Sequence, residues 1–186
     1  MILDGKKIAF TILDELTEKI AKLAVRPRLA VILVGDNPSS LSYIGQKRKF
    51  SERVGIDFEL RQFEPSITED GLVTEIKKFN DDASVTGFIV QLPLPKHISA
   101  DKIIAAINPR KDVDGFTPEN IGKLFLGTAD LISCTPKGII RLLETQNIAL
   151  RGKNVVVIGK SNIVGKPLSL LLMNAGATVT VCSRDT

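Results

Sequence analysis

A tyrosine and a lysine stand four residues apart, at positions 43 and 47, in a segment with helical patterning. Residues at this spacing share one face of an α-helix, so the phenol of Tyr43 and the ammonium group of Lys47 are expected to be neighbours. A lysine that is partly withdrawn from water at such a site can transfer protons to and from a substrate. On spacing alone, an exposed lysine beside a half-buried tyrosine is the better interpretation, so the pair needs support from its surroundings.

A second group of residues has the pattern of a phosphate-binding loop. Residues 155–167 (VVVIGKSNIVGKP) predict a strand, a turn and the start of a helix. This geometry directs backbone N–H groups and the positive helix end at an anion such as a pyrophosphate. The spacing is Gly-x-Ser-x-x-x-Gly and not the common Gly-x-Gly-x-x-Gly, so a purely structural turn explains it about equally well. The candidate cofactor-binding residues in this loop are Gly159, Lys160, Ser161, Ile163 and Gly165.

The elements that must position these residues alternate between helix and strand. Short apolar runs bounded by turn residues predict buried strands. Ser39 or Ser40 is expected to cap the helix that carries Lys47, and Gly55 is expected to end it. The predicted strands cover about residues 29–34, 58–63, 86–91, 154–158 and 178–182, and the predicted helices cover about residues 6–23, 39–54, 68–79, 100–107, 120–124, 136–146 and 166–174.

This alternation predicts an α/β protein with parallel sheets covered by helices. We expect a three-layer αβα catalytic domain over residues 1–137, followed over residues 138–186 by the first half of a Rossmann-type nucleotide-binding domain. A single βαβ unit cannot cover both faces of its sheet. The sequence therefore looks truncated, with an open sheet edge that favours poor solubility or pairing with another chain.

Composition excludes several classes of protein. The 186 residues are 44% hydrophobic and 25% charged, as in ordinary globular proteins, with a net charge of +4. No stripe of aromatic and basic residues accompanies that charge, which argues against a nucleic-acid-binding protein. Two cysteines and one histidine are too few for a zinc site, so no metal is expected. The sequence shows neither a membrane-length apolar run nor a signal peptide, so a cytoplasmic location is expected.

Five motifs give the sequence a family resemblance. They are LDGK at residues 3–6, VGDNPSS at 34–40 followed by Tyr43 and Lys47, GFIVQLPLP at 87–95, KDVDGF at 111–116 and CTPKG at 134–138. In this order and spacing the chain resembles the bifunctional methylenetetrahydrofolate dehydrogenase/cyclohydrolase family. The resemblance implies an enzyme of one-carbon metabolism that oxidises 5,10-methylenetetrahydrofolate and hydrolyses the product to 10-formyltetrahydrofolate.

The resemblance also implies roles for four catalytic residues. Lys47 would assist proton transfer during hydrolysis, and Tyr43 would stack on the folate ring and hold Lys47 in place. Gln91 would hydrogen-bond to Lys47 and orient the substrate, although a strand-end glutamine without a role remains an alternative. Asp114 would accept hydrogen bonds from the amino-pyrimidine edge of the pterin. Asp112 is expected to be a loop or capping residue.

The expected cofactor is NADP. Lys160 stands where the family commonly has arginine. The positive charge is therefore kept, but the two parallel hydrogen bonds that a guanidinium group can make are lost. Arg184 follows the last predicted strand, where a 2′-phosphate would lie. Two cations with no acid directly at that strand end favour NADP over NAD.

The sequence departs from the family pattern at a few positions. Ser133 replaces a usual proline, a change expected to have little effect, Ser183 replaces a frequent histidine, and Asp185 is unusual. Family members are about a hundred residues longer and typically form homodimers through the nucleotide-binding domain. A non-catalytic fragment that binds folate or a partner chain is therefore an alternative. A shikimate-type or amino-acid dehydrogenase is another, but residues 91–95 and 112–115 argue against it.

Overall fold

The computed structural model describes residues 2–184 and 186, and it confirms the α/β class. Helices and strands alternate along the chain, and all strand pairs are parallel. The elements are α1 (Gly5–Ile20), β1 (Arg28–Val34), α2 (Pro38–Val54), β2 (Asp57–Phe63), α3 (Glu69–Asp81), β3 (Gly87–Val90), α4 (Ala100–Ala105), α5 (Pro118–Leu126), α6 (Cys134–Thr145), β4 (Asn154–Ile158), α7 (Gly165–Asn174) and β5 (Thr178–Cys182).

The chain divides into two compact units. The N-terminal unit is Ala9–Val113, and the C-terminal unit is Asp114–Thr186 together with the start of α1 up to Ile8. A boundary between residues 137 and 138, expected from the motifs, stays a prediction.

The N-terminal unit is built on a three-stranded sheet of order β2-β1-β3. Strand β1 lies in the middle, and its residues from Ala30 to Val34 are buried. Alternate side chains point to opposite faces of a strand, so β1 contributes to two separate cores. Ala30 and Ile32 join a core with helices α3 and α4, and Val31 and Leu33 join a core with Ile44 of α2. The sheet is therefore covered on both faces, which explains why β1 is a continuous apolar run.

The segment before Asp114 extends this sheet beyond β3. The amide of Phe88 donates a hydrogen bond to the carbonyl of Lys111 at 2.9 Å, and Phe88 forms a parallel bridge with buried Asp112. Asp112 thus lies beside the sheet and not in a free loop. Next to the bridge, the side chain of Lys111 also ties this segment to α3, because its ammonium group donates hydrogen bonds to the carbonyls of Phe79 and Asp82 at the end of that helix.

Gly87 is required where this segment meets β3. A Cβ atom at Gly87 would overlap Cγ1 of Val113 and would lie 3.2 Å from the Lys111 carbonyl oxygen. We expect Gly87→Ala to push the 111–113 segment off the sheet and lower the free energy of unfolding by about 1–3 kcal/mol. Urea denaturation would measure the change. Gly45→Ala is the matched control, because a Cβ there meets nothing within 4 Å. Equal stability of the two variants would contradict the proposed close contact.

The C-terminal unit contains the βαβ unit β4-α7-β5, as the sequence predicts. Strand β4 has one covered face with Val157 buried, while Val156 and Ile158 are 62% and 88% exposed. Helix α7 packs on β4, β5, α5 and α6. Asn174 donates to the carbonyl of Leu124 at 3.0 Å and ties α7 to the end of α5.

The predicted cap of α2 is wrong. The N-cap is Asn37, whose side-chain oxygen accepts from the amides of Ser39 and Ser40 at 3.0 and 3.2 Å. Pro38 follows at the first helical position, where its missing N–H has no cost, so the helix starts earlier than the serines suggest. Gly55 ends the helix in the left-handed conformation, as expected.

Candidate active site

Lys47 and Gln91 meet at the carboxyl end of the N-terminal sheet. The Lys47 Nζ donates a hydrogen bond to Oε1 of Gln91 at 3.0 Å, and both residues are half-buried. Gln91 directly follows β3, and its amide donates to the carbonyl of Ile32 at 2.8 Å. Its Nε2 donates to the carbonyl of Leu92 at 2.8 Å, which turns the amide oxygen towards Lys47. The backbone thus holds the acceptor, and helix α2 supplies the lysine.

Tyr43 lies one helical turn before Lys47 on α2. Its side chain is 67% exposed, whereas the neighbouring Ile44 is buried in the core. Packing in the core therefore does not account for Tyr43. An exposed phenol ring beside the carboxyl end of a parallel sheet presents an aromatic surface where α/β proteins bind ligands.

The loop after Gln91 is held at several points. The Leu92–Pro93 peptide bond is cis, and His97 Nε2 lies 2.9 Å from the carbonyl oxygen of Ile67. The amide of Ser99 donates to the Glu69 carboxylate at 2.8 Å. Two hydrogen bonds lower the pKa of the Glu69 carboxyl. The bond from the Lys102 side chain has the larger effect, and the bond from the Ser99 amide has the smaller one. The loop is thereby anchored to α3 through an ionised carboxylate.

Asp114, the fourth predicted catalytic residue, is half-buried at the beginning of the C-terminal unit. Gly115 follows with φ of +68°, and a Cβ there would lie 3.0 Å from both the Leu131 carbonyl oxygen and the Ser133 nitrogen. Only glycine allows this approach in that conformation. The close packing of Gly115 thus fixes the backbone next to the Asp114 carboxylate.

The phosphate-type loop connects β4 to α7. The Gly159 amide donates to the Cys182 carbonyl at 2.8 Å, and Gly159 has φ of +127°. The Ser161 Oγ accepts from the amides of Val164 and Gly165 at 3.2 and 3.3 Å. A Cβ at Gly165 would overlap the carbonyl oxygen of Gly159. The loop can pass this close to the helix start only because position 165 has no side chain.

Two cations lie near the ends of β4 and β5. Lys160 and Arg184 are both exposed, and Ile163 on the loop between β4 and α7 is 43% exposed. The hydrogen bond between the Gly159 amide and the Cys182 carbonyl places the ends of β4 and β5 side by side. Lys160 directly follows Gly159, and Arg184 lies two residues after Cys182, so each cation follows one of two neighbouring strand ends. Asp185, the unusual acid of this stretch, lies outside the described residues.

Within the described part of the chain, no cluster of three or more His, Cys, Asp or Glu residues could hold a metal ion. None of the described helices is both long enough and apolar enough to span a membrane.

Comparison with known proteins gives two family matches. Residues 3–114 match the model of the tetrahydrofolate dehydrogenase/cyclohydrolase catalytic domain. Residues 133–186 match the model of the NAD(P)-binding domain of the same family.

Individual proteins of known sequence match the chain in the same way. The chain is 48% identical over 186 residues to the bifunctional protein FolD of Helicobacter acinonychis and 50% identical over 188 residues to FolD of Bacillus subtilis. It covers 64% and 66% of their lengths, with 98% and 100% of its own residues matched. The chain thus spans about two thirds of these relatives.

Solved structures show the same fold. The crystal structure of FolD from Campylobacter jejuni matches 100% of this chain at a TM-score of 0.98 and 46% identity, and 67% of that protein is covered. FolD from Trypanosoma brucei, solved with NADP and an inhibitor, matches 98% of this chain and is 64% covered, at a TM-score of 0.93 and 33% identity. The two family matches and these relatives show that the chain belongs to the tetrahydrofolate dehydrogenase/cyclohydrolase family.

Proposed function

We propose that this chain acts in one-carbon folate metabolism. The reactions are the NADP-dependent oxidation of 5,10-methylenetetrahydrofolate to 5,10-methenyltetrahydrofolate and the hydrolysis of that product to 10-formyltetrahydrofolate. The observation that carries the proposal is the hydrogen bond of 3.0 Å between Lys47 and Gln91, beside the exposed ring of Tyr43. Loss of methenyltetrahydrofolate absorbance in the presence of the purified chain tests it, and a rate equal to spontaneous hydrolysis would reject it.

The hydrolysis requires three changes at the one-carbon bridge. Water adds to the bridging carbon, its oxygen loses both protons as the formyl C=O forms, and the bond from that carbon to N5 breaks as N5 takes up one proton, so that one proton is released overall. Lys47 is placed to move these protons, as the amine when it accepts and as the ammonium when it donates. Gln91 binds Nζ through its amide oxygen and leaves the other positions on that nitrogen for water and N5.

Substrate binding involves two other side chains. The Tyr43 ring offers a stacking surface for the pterin, and the Asp114 carboxylate can accept both N–H groups of its amino-pyrimidine edge. Positioning of this kind reduces the entropic cost of reaching the transition state.

The oxidation removes a hydride from the methylene carbon, and NADP, when bound, would supply the hydride acceptor. The C-terminal unit supplies its binding groups. Gly159 and Gly165 allow the loop backbone its close turn beside the pyrophosphate, and the Ser161 hydroxyl, which accepts from two amides and can still donate, offers a polar contact. Lys160 and Arg184 are the proposed contacts to the 2′-phosphate.

These two cations predict a preference for NADP over NAD. We expect Arg184→Ser and Lys160→Ser each to weaken NADP binding about tenfold, because each removes a charge-assisted contact to the 2′-phosphate. NAD binding should change little. Calorimetric titration with both cofactors measures the preference. Lys153→Ser is the control, since Lys153 is exposed at the opposite end of β4. Tighter binding of NAD than NADP by the unmodified chain would reject the preference.

We also propose that the C-terminal unit pairs with a second copy of the chain in a homodimer. The exposed apolar side chains of Val156, Ile158 and Val181 support this pairing, because monomeric proteins rarely leave such a group uncovered. The same surface supports the alternative of a non-catalytic piece that binds folate or a partner chain. The absorbance assay above distinguishes this alternative from the proposed enzyme. We further propose a cytoplasmic location, which the low cysteine content of the chain supports, with two cysteines in 186 residues.

A further inference from the structure

Ser133 does not do what a serine at its position usually does. It is the N-cap residue of α6, where a serine side chain normally accepts a hydrogen bond from an amide in the first helical turn. Its side chain makes no such bond. Instead, its Oγ donates to the carbonyl oxygen of Ile163 at 2.7 Å, and the residue is only 3% exposed. The hydroxyl is thus used for a contact 30 residues away in the sequence.

The acceptor lies in the phosphate-type loop. Ile163 sits between Ser161, whose Oγ holds two amides, and Gly165, where α7 begins. Those two bonds, at 3.2 and 3.3 Å, are longer than the 2.7 Å bond from Ser133 and connect the loop only to itself. The bond from Ser133 attaches the loop to another part of the C-terminal unit. It is a side-chain hydrogen bond that joins the loop directly to the start of α6.

The backbone of Ser133 is itself held in place. Gly115 packs against it so closely that a Cβ would lie 3.0 Å from the Ser133 nitrogen. The Ser133 carbonyl accepts from the Lys137 amide at 3.1 Å as the first bond of α6. Because the donor is held in place, its hydrogen bond restricts the position of the acceptor more strongly. The chain of contacts runs from Gly115, next to Asp114, through Ser133 to the loop.

We propose that Ser133 is a positioning residue that holds the loop between β4 and α7 in the conformation that receives the dinucleotide pyrophosphate. The proposal rests on the cofactor role given above. A proline, which the family resemblance gives as usual at this position, has no side-chain donor and could not make this bond. Ser133→Ala would remove the donor and leave the Ile163 carbonyl oxygen without this partner. Residues 159–166 would then sample more conformations before the cofactor binds.

Hydrogen exchange and cofactor titration together test this role. In Ser133→Ala, without cofactor, we expect amide exchange in residues 159–166 to become about tenfold faster, consistent with the loss of one hydrogen bond. Exchange within α6 and β5 should stay unchanged. NADP binding, measured by calorimetry, should weaken about tenfold. Thr145→Ala is the matched control, because that hydroxyl also donates to a backbone carbonyl at 2.7 Å, in Leu142, but far along α6 from the loop.

Each outcome decides the proposal. Unchanged exchange in the loop would overturn it, and so would faster loop exchange with NADP affinity equal to that of the unmodified chain. Faster exchange throughout residues 114–186 would also overturn it, since Ser133 would then be a general stability residue. Absence of NADP binding by the unmodified chain would reject the proposed cofactor. Loop exchange alone would then decide whether Ser133 holds the loop, with unchanged exchange again overturning the proposal.

Discussion

Lys47→Met should lower the rate of methenyltetrahydrofolate hydrolysis by a factor of about 10²–10⁴, the usual contribution of a positioned acid–base group. Methionine keeps the length and apolar stem of lysine but cannot carry a proton. The fold should survive, because Lys47 is half-buried and its bond to Gln91 joins side chains and not core atoms. The rate is measured from the absorbance of methenyltetrahydrofolate, after subtraction of spontaneous hydrolysis.

Lys49→Met is the matched control. Lys49 lies on the same helix, two residues further on, and its side chain is exposed, so its loss should change the rate less than twofold. Equal rates for the Lys47 and Lys49 variants, both shown by circular dichroism to be folded, would remove Lys47 from the reaction. A large loss in the Lys47 variant alone would place the proton transfers at that nitrogen.

The sequence predicts most of the fold because its elements are defined locally. Apolar runs bounded by turn residues mark all five strands to within one residue at either end, and the β4-α7-β5 unit follows from one contiguous pattern. The errors occur at helix ends. Helix α1 ends at Ile20 and not near residue 23, and Asn37 caps α2 in place of a serine. Helix ends depend on which of several polar side chains reaches the free amides, and neighbouring Asn, Ser and Pro residues leave that choice open.

The site was harder to predict because its contacts join distant segments. Lys47 and Gln91 are 44 residues apart, and no periodicity reveals a hydrogen bond between them. The pair could be expected only from a family resemblance. Gly87 and Lys111 show the same limit, since their roles depend on the 111–113 segment lying beside β3. As a departure from the family pattern, Ser133 is expected to matter little, and only its contact with Ile163 indicates a role.

Gly165→Ala should remove NADP binding, with an affinity at least about a hundredfold lower, while the N-terminal unit keeps its fold. The new Cβ would overlap the Gly159 carbonyl oxygen and would lie 2.6 Å from its carbon and 3.0 Å from the Lys160 Cα. These are backbone atoms, so a rotamer change cannot relieve the overlap. Either the loop or the start of α7 must move, which displaces the loop groups that would contact the cofactor. Overpacking of this kind also lowers the free energy of unfolding by about 1–3 kcal/mol.

Gly138→Ala separates the effect of this contact from the effect of losing a glycine. Gly138 lies in α6 of the same unit, and a Cβ there meets nothing within 4 Å. Because alanine is the better helix former, this variant should be more stable by about 0.5–1 kcal/mol and should bind NADP as the unmodified chain does. Calorimetry gives the affinities and urea denaturation gives the stabilities. If Gly165→Ala bound NADP as well as Gly138→Ala does, the close approach of loop and helix would have no part in cofactor binding, and the pyrophosphate would have to lie elsewhere on the C-terminal unit.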